Sequence, residues 1–252
     1  MDVAGILDTL PMSIWLVTES GLFDRERHVA EARREAHPNA PVFFLSYARV
    51  ARRAGEPARD VNEKRHQFFL ALSDHIHELM GLEAGSRPGF IDDSMDGGQV
   101  WTEELAFAIG HCQVFVPLLS QRYLRSEWCA REWDAFTRRP VVPNSKVMGA
   151  GKGTSVIPVI WTVVQHADIP LKISRVQRFA PTGLPSGTVE DMYEREGIYG
   201  LPQLGAEGRE AYEAAVWRLA QRIVRATHER WVKPRVPTDM HELRADFEED
   251  AA

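Results

Sequence analysis

Two kinds of hydrophobic pattern alternate along the chain. Short uninterrupted apolar runs stand at "PVFFLSY" (41–47), "GFID" (89–92), "QVFVPLLS" (113–120) and "SVIPVIWT" (155–162). Runs of this length and continuity predict strands buried on both faces of a parallel sheet. Between them, apolar residues recur every three or four positions, which predicts helices. One such helix is expected over 60–81, with Phe68, Phe69, Leu72, Ile76, Leu79 and Met80 facing inward and Gly81 as its stop. A second is expected over 100–112, with Trp101, Leu105, Ala108 and Ile109 on one face. A third is read over 123–136 and a fourth, strongly amphipathic, over 209–231, where Tyr212, Ala215, Val216, Leu219, Ile223 and Ala226 form the stripe.

Strand, helix, strand, helix, strand, helix, strand, loops, helix is the order of an α/β doubly wound parallel sheet, because parallel neighbours require crossover connections. Pro117 and Pro158 lie inside predicted strands and cannot donate to a ladder, so a bulge or an edge position is expected at each. Ligands of such sheets bind at the carboxyl ends of the strands. Here those ends carry Ser46 and Tyr47, Asp92, Ser120 and Thr162.

The remaining segments are less patterned. Residues 1–38 form an extension containing a polar helix stopped at Pro38-Asn39, and 39–231 form the domain. Residues 163–208 are rich in Pro and Gly and read as irregular; 232–252, with prolines and then "DFEED", read as a disordered acidic tail. The loop "DSMDGG" (93–98) joins a strand to a helix, and its paired glycines suit a flexible flap.

Composition narrows the function classes. A formal charge of −6 on 252 residues gives no electrostatic reason for nucleic-acid binding. Two cysteines, Cys112 and Cys129, make no disulfide framework, and a reducing cytoplasm is expected. No His or Cys cluster has zinc spacing, and "MSIWLV" is too short for a span and lacks the basic flank of a signal peptide, so neither metal nor membrane is expected. "GAGKGTS" (149–155) resembles a phosphate loop but has Gly153 where Ser or Thr is required, and it leads into a strand instead of a helix.

One residue stands out on its helix. Glu127 can pair with Arg131 and Asp134 with Arg138, four residues on, as on a solvated face. Glu132 instead has Trp128, Cys129, Ala135 and Phe136 as helical neighbours, none able to pair with a carboxylate. On the helix pattern alone, a carboxylate reaching solvent or paired with an arginine of another element explains it better than chemistry does.

"FFLSYAR", "GFIDDSMDGG" followed by a tryptophan, and "CQVFVPLLSQRYLRSEWCAREWDAF" resemble, in order, the first, second and third motif regions of TIR domains. The resemblance covers about 41–230 and is strongest over 41–161. "VIPVIW" and "YGLPQL" are further similar to TIR-like proteins of actinobacterial FxSxx-COOH peptide systems. The family resemblance implies a flavodoxin-like sheet and one of two functions. One is cleavage of NAD at the nicotinamide–ribose bond, with NAD as substrate and no cofactor. The other is a non-catalytic adaptor that self-associates or recruits another TIR or sensor protein.

By motif position the catalytic glutamate is Glu132. The match places Tyr47, Trp101 and Trp128 around the same cleft, with Ser46, Arg49 and Asp92 as further substrate contacts. This chain departs from the animal enzymes at Ala48, where they carry arginine, leaving Arg49 as a substitute for a phosphate or ribose contact. A homo-oligomer on activation is implied as well.

Overall fold

The computed structural model describes residues 37–50, 62–92, 102–144, 147, 153–184 and 187–248. Among these, a four-stranded sheet contains β1 (Phe43–Ser46), β2 (Gly89–Ile91), β3 (Val114–Leu119) and β5 (Val159–Ile160), in the order β2-β1-β3-β5 with all pairs parallel. Helices α1 (Glu63–Met80), α2 (Glu103–His111), α3 (Gln121–Leu124) and α4 (Glu127–Thr137) make the crossovers. After β5 come α5 (Leu171–Ser174), α6 (Thr188–Gly200) and α7 (Gly205–Glu229). A separate antiparallel ribbon pairs β4 (Val141–Pro143) with β6 (Arg230–Val232).

Side-chain alternation along the strands builds two cores. Phe43, Leu45, Val114, Val116, Leu118 and Val159 face α1, α6 and α7, where they meet Phe68, Leu72, Ile76, Leu219 and Ile223. Phe44, Phe115 and Leu119 point the other way, toward Leu105, Ile109, Trp133 and Phe136 of α2 and α4. The sheet is therefore covered on both faces, which is why its strands read as continuous apolar runs. The same parity sends Ser46 to the α4 face and Tyr47 to the α1 face.

The two prolines resolve differently. β3 and β5 keep one register, Phe115 opposite Val156 and Leu118 opposite Val159, so Pro117 faces Pro158 without a bulge. Two residues earlier, Phe115 N donates to Ser155 O (3.0 Å), so the Pro117 nitrogen points at β5 and the ladder lacks one bond there. Pro158 points its nitrogen away from β3, where no ladder donor is required. On that outer side Phe179 N donates to Pro158 O (2.8 Å) and Ile160 N donates to Tyr193 Oη (2.8 Å).

Three stretches differ from their sequence reading. The expected helix over 123–136 is two helices, because Ser120 and Ser126 each accept an N-cap hydrogen bond, from Tyr123 N (3.1 Å) and Cys129 N (3.3 Å). The irregular stretch 163–208 contains α6, which buries Met192, Tyr193 and Ile198 against the β5 edge. Within it Gly197 takes φ 65°, bringing its backbone against the Trp161 carbonyl while Tyr199 N donates to that oxygen (2.9 Å).

The third is 232–248, expected as a disordered tail. It closes the β4–β6 ribbon and then lies across α3 and α4, burying Leu243 and Phe247, with the Phe247 ring 5.7 Å from Tyr123 and 6.0 Å from Trp133. Arg139 fastens it. Its guanidinium is buried and donates to the carbonyls of Ile109 (2.9 Å), Cys112 (2.7 Å), Lys233 (3.0 Å) and Val232 (3.3 Å). Residues 1–36, the glycine loop 93–98 and Trp101 lie outside the described residues.

Candidate functional site

At the carboxyl end of β1 the chain passes from Ser46, on the α4 face, to Tyr47, on the α1 face. Ser46 donates its hydroxyl proton to Glu132 Oε2, and its oxygen lies 3.2 Å from Tyr123 Oη. All three side chains are buried, Glu132 to 3% exposure. The acid on the apolar side of α4 thus neither reaches solvent nor pairs with an arginine. Its partner is a hydroxyl at the end of the strand the helix packs on.

Glu132 lies one turn after Trp128 on α4, whose start is fixed by the Ser126 cap. Burial pushes the Glu132 carboxyl up to about 8. The Ser46 hydrogen bond opposes that rise, Asp92 adds to it, and Arg49 and the Trp128 side chain oppose it more weakly. Around it the other acidic protons are held in place. Burial and then Cys129 push the Tyr123 phenol well up, and burial and then Glu132 do the same for the Cys129 thiol. Cys129 is therefore an inert core thiol, not a nucleophile.

A second group gathers at the end of β2. Arg49 donates through Nη2 to the Asp92 backbone carbonyl and lies 3.3 Å from its carboxylate Oδ1, and Tyr47 Oη donates to the same carbonyl at 3.2 Å. Asp92 is therefore shared. It binds Tyr47 and Arg49 directly and acts electrostatically on Glu132. The structure brings Ser46, Tyr47, Arg49, Asp92, Trp128 and Glu132 to one sheet edge; Trp101 lies outside the described residues.

Two residues at this edge were not singled out from sequence. Tyr123 is one, and the caps at Ser120 and Ser126 that turn it inward were readable as two helix starts. Arg65, in the first turn of α1, is the other: its guanidinium carbon lies 5.5 Å from the Tyr47 ring centre and 5.2 Å from that of Trp161. No local signal marks Arg65, since its partners come from distant strands.

The pairs read from helix spacing both form, Arg131 with Glu127 at 3.4 Å and Arg138 with Asp134 at 2.7 Å. Asp134 is nevertheless buried, because Arg244 N donates to its Oδ2 (3.0 Å) and Lys172 approaches to 3.9 Å. That part of α4 faces the C-terminal segment and α5, not water. Among the described residues, no group of three or more His, Cys, Asp and Glu is placed to hold a metal ion, and no helix is long and apolar enough to cross a membrane.

No curated protein matches the chain. The family model for the TIR domain matches residues 43–182, from β1 through the helices that carry Tyr123 and Glu132 to the segment beyond β5. That stretch is more than half of the 252 residues and contains all four strands of the parallel sheet, so the protein belongs to the TIR domain family.

Proposed function

We propose that the protein is an NAD glycohydrolase that cleaves the nicotinamide–ribose bond, releasing nicotinamide and ADP-ribose or a cyclic ADP-ribose, in bacterial defence or signalling. The observation that carries this reading is the single carboxyl group of Glu132, held by Ser46 at the sheet edge where doubly wound folds bind ligands.

Nicotinamide in NAD is a cationic leaving group. When the C1′–N bond breaks, its electron pair returns to the ring nitrogen and neutralises the pyridinium, so no general acid is needed. The ribose is left as an oxocarbenium ion, as in glycoside hydrolysis. One carboxylate beside it stabilises the developing charge, more strongly in a dehydrated setting than in water. Water, or a nucleophile elsewhere in the same dinucleotide, then closes on C1′.

Glu132 suits this role in its ionised form. A carboxyl held up to about 8 carries its proton at neutral pH until an opposite charge arrives, and the pyridinium supplies that charge. In this reading Trp128 faces the nicotinamide ring, while Tyr47, Arg49 and Asp92 hold ribose and phosphate. The protein acts in the cytoplasm as an assembled homo-oligomer or with another TIR or sensor protein.

Purified, concentrated protein is expected to release nicotinamide from NAD, and Glu132→Gln is expected to lower the rate at least ~100-fold with the fold intact. Undiminished turnover in that variant sinks the assignment. One observation favours the other reading, a non-catalytic adaptor: Glu132 is nearly enclosed and its hydrogen bond is spent on Ser46. An adaptor releases no nicotinamide at any protein concentration, so a concentration series separates the two.

A further inference from the structure

We infer that Tyr123 is a positioning residue for Glu132, acting through the Ser46 hydroxyl that stands between them. The inference builds on the NAD-cleavage reading for its kinetic test and stands without it for its spectroscopic one.

The groups around Glu132 come from four elements. Ser46 and Arg49 come from the end of β1, Asp92 from the end of β2, Tyr123 from α3, and Trp128 and Cys129 from α4 itself. Burial keeps the phenol and the thiol neutral. The two charged neighbours, Arg49 and Asp92, are engaged with each other at 3.3 Å and act on Glu132 in opposite directions. Beside burial and the Trp128 side chain, the state of the carboxyl is set by the chain of hydrogen bonds through Ser46.

Its polarity depends on that state. Ser46 has one hydroxyl proton and gives it to Glu132 when the carboxyl is ionised; its lone pairs then accept from Tyr123 Oη at 3.2 Å. With Glu132 protonated, the proton it has gained lies on the carboxyl, whose O–H donates to Ser46 while Ser46 donates to Tyr123, so the phenol no longer donates toward the carboxyl. Donation from a phenol polarises the serine hydroxyl and strengthens its bond to the carboxylate. Tyr123 can do this because it cannot turn away: it is fully buried beneath Phe247, and the Ser120 cap sets its backbone.

Tyr123→Phe keeps the ring and deletes the donor. The pH profile of kcat/KM for NAD is expected to move upward by ~0.5–1 pH unit, the equivalent of one hydrogen bond. Turnover then falls ~3–10-fold at pH 7 and rejoins the wild type above about pH 10. Superimposable profiles, or a loss equal at every pH, overturn the inference, since a role in packing alone has no reason to follow the protonation of Glu132. Ser46→Ala is expected to displace the profile likewise, and adding Tyr123→Phe to it to change nothing more; independent, additive losses overturn it too.

The second arm needs no turnover. Titrating the Glu132 carboxyl stretch by infrared difference, with Glu132→Gln as the assignment, should show a higher midpoint in Tyr123→Phe than in the wild type. An unmoved midpoint overturns the inference. If the wild type fails to release nicotinamide, the NAD reading falls while this arm still decides the role of Tyr123.

Discussion

A carboxyl group that titrates near 4.5 when free and near 8 at position 132 links folding to pH. Between those values the folded protein holds the proton and the unfolded chain has lost it, so stability falls as pH rises. The contribution is complete below about 4.5 and gone once pH has passed through about 8. Glu132→Gln keeps the shape without the proton equilibrium. Urea denaturation should find the variant more stable than the wild type at pH 8.5 by on the order of a few kcal/mol, with the difference shrinking toward pH 4.5. A constant difference across that range contradicts the burial of an ionisable group. The proposed chemistry runs the other way, since it needs the carboxylate, so kcat/KM for NAD should rise toward pH 8 as stability falls. Strain of this kind is tolerated at a site that uses it.

A single residue decides each of two elements. The start of α4 depends on the Ser126 hydroxyl, which accepts from Cys129 N at 3.3 Å. Ser126→Ala should destabilise the protein by about 1 kcal/mol, read as a lower urea midpoint with unchanged slope. At the β5 edge, a methyl group added to Gly197 would lie 2.7 Å from the Trp161 carbonyl oxygen, at a φ of 65° that L-residues avoid. Gly197→Ala should therefore cost at least ~2 kcal/mol, far more than alanine costs at an exposed glycine. Elements of this sort also mark where the sequence was readable. α1 and α7 followed their periodicity, and Gly81 ends α1 with φ 58° as its position suggested. α6 was not legible, because its own apolar residues are few and the β5 edge supplies the reason for it to fold. Propensity is a weak guide where tertiary packing pays for the helix.

Across the whole molecule, the C-terminal segment ties the sheet's α4 face together. Phe247 packs on Tyr123 and Trp133, Arg244 N binds Asp134, and Arg139 holds the Val232 and Lys233 carbonyls. Phe247→Ala should destabilise the protein by about 3 kcal/mol and raise hydrogen exchange in α3 and α4; a change confined to the last residues would mean that the segment only rests there. The sequence by itself determined the four strands of the parallel sheet, the helices α1, α2 and α7, the doubly wound class and the isolation of Glu132 from any charge partner on its own helix. Those are consequences of period and spacing, which act over a few residues. Only the tertiary structure decided that Ser46 is the partner of Glu132, that Tyr123 stands behind it, that Asp92 joins it to Tyr47 and Arg49, and that residues 232–248 pack across α3 and α4. Each of these contacts joins positions far apart in sequence, and burial makes them matter: in water a serine beside a glutamate would leave its proton equilibrium near 4.5, and under the sheet edge it stands near 8.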